Sequence, residues 1–166
     1  MKSVCIGNLT LEFLSQEDAE DLSSLCRPLF REAYNYVSDR VVEDFLETHL
    51  NPESIREQMA AGTEFAYVYD GGKRVGLIGY AMGGTEMYLS KLYFFDGCRG
   101  KGYGSACLEF IEAKAGECGA ERIYLETNIL NSGGIRFYER HGFRSTGTVV
   151  EMRVRMGKVL RSSHAC

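Results

Sequence analysis

Between Phe94 and Phe110 the chain reads FFDGCRGKGYGSACLEF, with Gly97, Gly100, Gly102 and Gly104 interleaved with Arg99 and Lys101. Glycine has no Cβ to hold a ligand off the main chain, so several in one turn let backbone amides approach a large acceptor. A strand-like aromatic run precedes the stretch and a helical pattern follows it. Strand, glycine turn and helix start bring several N–H groups and the positive end of a helix dipole to one point, a geometry suited to a phosphate or diphosphate. Arg99 and Lys101 add positive charge. A tight turn alone needs one or two glycines, not three alternating ones flanked by cations.

Two phosphate signatures compete for the stretch. A Walker A loop requires G-x-x-x-x-G-K-[ST], which is absent. The dinucleotide fingerprint G-x-G-x-x-G nearly fits from Gly102, with Glu126 at a suggestive distance, but its third glycine falls on Cys107. The roughly 40 residues after Glu126 are too few for the remaining βαβ units, and the preceding β-hairpin is the wrong neighbour.

Leu9–Leu14 alternates as a first strand. Ser15 ahead of Glu17 and Asp18 marks a helix start, and Ala19, Leu22, Leu25, Cys26, Leu29 and Ala33 recur at helical spacing. Pro28 predicts a kink or break near Cys26 and Arg27. A second helix is predicted over roughly Arg40–His49, and Asn51 followed by Pro52 restarts a helix that Gly62 ends. Then the period becomes two: EFAYVYDGGKRVGLIGYAMGG predicts a hairpin turning at Asp70, Gly71 and Gly72. A strand over Met87–Phe95 leads into the glycine stretch. Beyond it the pattern predicts a helix over Ser105–Cys118, a strand over Arg122–Thr127, a short helix near Gly133–Arg140 stopped by Gly142, and a final strand near Val149–Met156. The order β-α-α-β-β-β-α-β-α-β is that of a mixed α/β sandwich with helices against a central sheet. The tail GKVLRSSHAC carries no assigned element.

The 166 residues are the length of one domain, long enough to bury roughly 70% of the unfolded surface, so a single domain over 1–166 is expected. Hydrophobic residues at 45%, charged ones at 25% and only two prolines describe a folded globular chain. No stretch approaches the ~20 apolar residues of a membrane span, and a soluble cytoplasmic protein is expected. Cys5, Cys26, Cys98, Cys107, Cys118 and Cys166 contain no Cys-x-x-Cys pair, so no metal site is signalled; His49, His141 and His164 match no motif. The net charge of −4 hides an asymmetry: residues 1–64 hold 5 Lys and Arg against 13 Asp and Glu, residues 65–166 hold 14 against 10. An acidic chain argues against non-specific nucleic-acid binding. The basic half suits a phosphorylated cofactor and the acidic half a cationic substrate.

Two segments carry a family resemblance. LYFFDGCRGKGYGS (92–105) matches an Arg/Gln-x-x-Gly-x-Gly/Ala signature at Arg99, Gly102 and Gly104, and LETNILNSGGIRFYERHGF (125–143) matches an Asn-containing strand exit followed by an aromatic-Tyr-Glu helix and Gly-Phe. In both, the chain resembles the GNAT superfamily of acetyl-CoA-dependent N-acyltransferases. The resemblance implies the α/β (α+β) GNAT fold: a mixed, mostly antiparallel central sheet, flanked by helices on both faces and splayed between the two strands that hold the cofactor. It implies that acetyl-CoA lies between the strand ending near Phe95 and the strand ending near Thr127. Pantetheine would bond backbone groups of Leu92, Tyr93 and Phe94. The diphosphate would sit on the amides of Gly100, Lys101, Gly102, Tyr103, Gly104 and Ser105, with Arg99 near its start. Phe94 N–H would face the thioester carbonyl, where negative charge grows, and Asn131 matches the cofactor-contacting asparagine.

Acetyl transfer must take a proton from an ammonium of pKa about 10 and give one to a thiolate of pKa about 8.5. Tyr138 matches the family's proton donor to sulfur. Glu126 matches the general base, acting through water, of members resembling ribosomal-protein N-terminal acetyltransferases. The position of the histone-type glutamate base is Tyr88 here, which favours Glu126 and leaves Glu86 as an outside candidate. Gly133 and Gly134 depart from the pattern and are expected to loosen the last helix. The acceptor would be framed by Tyr34–Phe45, and FLETHLNPESIREQ resembles polyamine-acetylating members. The expected acceptor is therefore a primary amine, a cationic small amine such as a polyamine. The alternatives are peptide or protein N-termini, or a non-catalytic acyl-CoA-binding module. Neither nucleic acid nor membrane is an expected partner, and the protein is expected to be a monomer or homodimer.

Overall fold

The computed structural model describes residues 2–161; Met1 and residues 162–166, with His164 and Cys166, lie outside it. In chain order the elements are β1 (Ser3–Ile6), β2 (Leu9–Phe13), a 3-10 turn (Gln16–Asp18), α1 (Ala19–Ala33), α2 (Asp39–His49), α3 (Pro52–Ala60), β3 (Glu64–Asp70), β4 (Lys73–Gly83), β5 (Glu86–Phe94), α4 (Tyr103–Glu117), β6 (Arg122–Asn128), α5 (Ser132–Arg140), β7 (Arg144–Val150) and β8 (Arg153–Val159). The strands form one sheet in the order β1-β2-β3-β4-β5-β6-β8-β7. Antiparallel pairing joins β1 to β2, β2 to β3, β6 to β8 and β7 to β8, while β5 and β6 run parallel. This is the mixed α/β architecture expected from the sequence. The parallel ladder joins Glu86–Tyr88 to Arg122–Tyr124 and stops there, although β5 continues to Phe94. Among the described residues no helix is long and apolar enough to cross a membrane.

The described chain forms two compact units, one of residues 2–79 and Lys91–Ala106, the other of Tyr80–Ser90 and residues 107–161. In the first, the Ser15 amide donates to Asp18 Oδ2 at 2.8 Å and closes the turn that launches α1. Leu22, Cys26, Leu29 and Phe30 of α1, Val42 and Leu46 of α2, Ile55 of α3, Phe65 and Tyr67 of β3 and Leu77 of β4 make one buried cluster. That cluster explains a departure from expectation: α1 runs through Pro28 without a break. A proline inside a helix costs about 3 kcal/mol. Burying the neighbouring Cys26, Leu29 and Phe30 outweighs it, at roughly 1.5–3 kcal/mol for each large side chain. Asn51 Oδ1 accepts from the Ser54 amide at 2.9 Å and starts α3 ahead of Pro52. The β3–β4 turn falls at Gly71 and Gly72, both left-handed at φ 56° and 83°, the conformation of a tight hairpin. β1 was not anticipated; it is four residues long and half of them are exposed.

In the second unit Met87, Leu89, Ile123, Leu125 and Met156 of the sheet and Leu108, Ile111 and Ala115 of α4 are buried. Tyr80 meets Phe110 of α4 with ring centroids 6.4 Å apart, and Lys158 Nζ lies 2.6 Å from Glu112 Oε1. The single strand expected near Val149–Met156 is instead a hairpin, β7 and β8, turning at Glu151 and Met152. These two non-glycine residues take φ 49° and 66°, so the usual Gly or Asn signal for such a turn is missing. Gly157–Val159 of the unassigned tail complete β8. β7 ends the sheet, and its register slips between Ser145 and Val149, where Gly147 takes φ 84°.

Candidate functional site

The glycine stretch leaves β5 and reaches α4 through a loop with one buried residue, Cys98, whose amide donates to the Phe95 carbonyl at 3.0 Å. Gly97, Gly100 and Gly102 take φ 78°, 76° and 81°. A Cβ at Gly100 or Gly102 would meet nothing within 4 Å, so the backbone conformation requires glycine there and the space above is open. Gly104 lies inside α4. The Ala106 amide is bonded to the Gly102 carbonyl at 3.1 Å, which puts Tyr103 and Gly104 in the first turn, whose amides have no helical partner. Arg99 and Lys101 are exposed, and Arg99 lies 3.5 Å from Glu32 near the end of α1. The Tyr103 hydroxyl donates to Asp70 Oδ2 at the end of β3. That bond, above all, pushes the phenol up to about 12.

Where β5 ends, the Phe95 amide donates to the Val75 carbonyl at 3.0 Å. A Cβ on Gly76 of β4 would fall 2.3 Å from the Tyr93 carbonyl oxygen and 2.5 Å from the Phe94 ring. Residues 93 and 94 therefore cross directly over Gly76, and only glycine fits beneath them. The Phe94 ring in turn lies 5.9 Å from that of Tyr103. Leu92 is half-buried, and the Tyr93 and Tyr34 hydroxyls share a hydrogen bond of 2.6 Å.

In the second unit Glu126 of β6 is engaged by two arginines of β8. Arg155 Nη2 donates to Oε1 at 2.8 Å, and Arg153 Nη1 lies 3.6 Å from Oε2. The bond to Glu126 raises the Arg155 guanidinium, whose carbon also sits 4.9 Å from the centre of the Tyr124 ring. Tyr88 stacks on Tyr124 at 4.9 Å, and Glu86 pairs with Arg122 at 3.6 Å. Asn131 caps α5: its Oδ1 accepts from the Gly134 amide at 3.1 Å and its Nδ2 donates to Thr127 Oγ1 at 3.0 Å. Tyr138 packs edge-on against the fully buried Phe143, centroids 5.7 Å apart.

The model of the acetyltransferase (GNAT) family matches residues 21–143. The chain belongs to the GNAT family. Its GNAT relatives include an uncharacterized N-acetyltransferase of Mycobacterium bovis and another of Mycobacterium tuberculosis, each 37% identical over 76 residues, 43% of this chain and 49% of the relative. The chain thus spans about half the length of the curated relatives it matches. Among solved structures, the PaiA N-acetyltransferase of Thermoplasma acidophilum in complex with coenzyme A aligns with a TM-score of 0.78 at 22% identity, over 90% of this chain and 98% of that one. A GNAT-family acetyltransferase of Staphylococcus aureus gives 0.71 at 19% identity, over 92% and 99%. At these identities the likeness is one of fold.

Of the residues singled out in this GNAT chain, Leu92–Phe94 and Arg99–Ser105 lie in the first unit and Glu126, Asn131 and Tyr138 in the second. Gly134 does not simply loosen the last helix. A Cβ there would fall 2.3 Å from Asn131 Nδ2, so the glycine makes room for the cap, whereas a Cβ at Gly133 would meet nothing within 4 Å. Asp70, Glu32, Gly76, Arg153 and Arg155 were not foreseen. Gly76 alone carried a signal, since a glycine inside a strand marks close approach of another backbone.

Proposed function

We propose that the chain is an acetyl-CoA-dependent N-acetyltransferase, a single GNAT domain over residues 1–166, acting in the cytoplasm on a primary amine that attacks directly. The observation that carries this reading is the 99–105 loop: two left-handed glycines, two exposed cations and the first turn of α4 at one point, in a chain of this family. The open space above Gly100 and Gly102 fits a diphosphate approaching the main chain. Bound acetyl-CoA supplies an activated thioester. Leu92, Tyr93 and Phe94 would hold its pantetheine, the amides from Gly100 to Ser105 its diphosphate with Arg99 and Lys101 beside it, and Asn131 would contact it near the strand exit.

Phe94 N–H would stabilise negative charge on the carbonyl oxygen, and the Tyr138 hydroxyl would give its proton to sulfur. Glu126 would accept the ammonium proton through water. Its contacts with Arg153 and Arg155 fix the carboxylate in place on β6. The acidic first 64 residues favour a cationic small amine such as a polyamine, although Glu43 and Glu47 are already paired with Arg27. Free-thiol release from acetyl-CoA across a panel of spermidine, neutral amines and peptide N-termini tests the reading. Spermidine is expected to turn over fastest. Absence of thiol release with every amine, despite binding of acetyl-CoA, would leave a non-catalytic module.

A further inference from the structure

Four glycines in eight residues make a loop that is costly to order, at about 1–2 kcal/mol per residue fixed, and a floppy loop would pass that cost to its ligand. Three side chains limit the freedom. Cys98 is buried and Arg99 reaches Glu32 on one side of the exposed Gly100–Gly102 segment; on the other, Tyr103 is bonded to Asp70. The Arg99–Glu32 pair is long and exposed, and contributes little. Tyr103, by contrast, stands between Gly102 and Gly104 at the turn whose amides are open. Its ring meets Phe94, which itself lies over Gly76.

We propose that the Tyr103–Asp70 hydrogen bond is the positioning contact that holds the loop in its anion-binding shape. This rests on the reading that the 99–105 loop takes the diphosphate. An acidic side chain beside a diphosphate site is electrostatically unfavourable, so Asp70 has to be offset by something it does, and its one hydrogen bond across to α4 supplies that. Asp70 and Tyr103 act on bound ligand through the amides they place, not by touching reacting atoms.

Coenzyme A titrated calorimetrically into wild type, Tyr103→Phe, Asp70→Ala, the double variant and Asp70→Asn tests this. Each single loss is expected to weaken binding about tenfold, the scale of one hydrogen bond to a charged group. The double variant should be no weaker than either single, because the two residues act as one. Asp70→Asn, which keeps an acceptor oxygen, should stay within about threefold of wild type. Tighter binding by Asp70→Ala would make the carboxylate a mere repulsive charge and overturn the proposal, as would additive losses or unchanged affinities. If Tyr103→Phe does not fold, the Asp70→Ala and Asp70→Asn pair still decides. Failure of wild type to bind coenzyme A would instead remove the reading of the loop itself.

Discussion

In the 99–105 loop Tyr103 turns to Asp70 and Arg99 to Glu32, and the proposed binding falls chiefly to the amides. At the β6–α5 corner the positions are reversed. There the proposed chemistry falls to the named side chains, and two of them already have structural work: Glu126 with Arg153 and Arg155, Asn131 as the cap of α5. A backbone site tolerates changes in the side chains around it, provided the loop keeps its shape. A side-chain site loses function with the side chain.

The largest expected effect is at the corner: Tyr138→Phe should lower kcat at least 100-fold, the range of general acid catalysis, measured by thiol release at saturating acetyl-CoA. Full activity at every pH would take Tyr138 out of the reaction. Next comes the scaffold of the loop, where Gly76→Ala should cost about 3 kcal/mol in urea unfolding, because a backbone carbonyl has to move 93–94 off the new methyl; a change below about 0.5 kcal/mol would mean that β5 is not pinned there.

Asn131→Ala should cost about 1 kcal/mol by loss of the cap. Gly134→Ala alone should also destabilise, since the methyl displaces the Asn131 amide, but in the Asn131→Ala background it should stabilise, Ala being the better helix former by up to 1 kcal/mol. The same sign in both backgrounds would separate Gly134 from the cap. Smallest is Lys101→Ala, expected to raise the KM for acetyl-CoA about threefold, as befits an exposed charge beside amides proposed to do the binding. A loss rivalling that of Tyr138→Phe would make the loop a side-chain site too.

How much of this was legible in the sequence depends on distance along the chain. Asn51–Pro52, the Gly71–Gly72 turn and the glycine loop are local signals, and each element they mark is where its residues put it. Pro28 is local too, and the break it could signal does not occur, because the burial that overrides it comes from α2, α3, β3 and β4. The β7–β8 turn was hidden by Glu151 and Met152, which adopt a glycine's conformation without being glycine. Glu126 was singled out by its motif, but its arginines were not, since the pairing of Glu126 with Arg155 is a cross-strand register that no spacing encodes. Asp70 and Tyr103, 33 residues apart, were read as hairpin and loop separately and meet only in the fold.

The slip in β7 bears on how molecules of this protein meet one another at high concentration. A terminal strand exposed along its whole length, ending in Val149 and Val150, would template the addition of further strands and lead to fibres. The register shift around Gly147 interrupts the regular row of donors and acceptors that such growth requires.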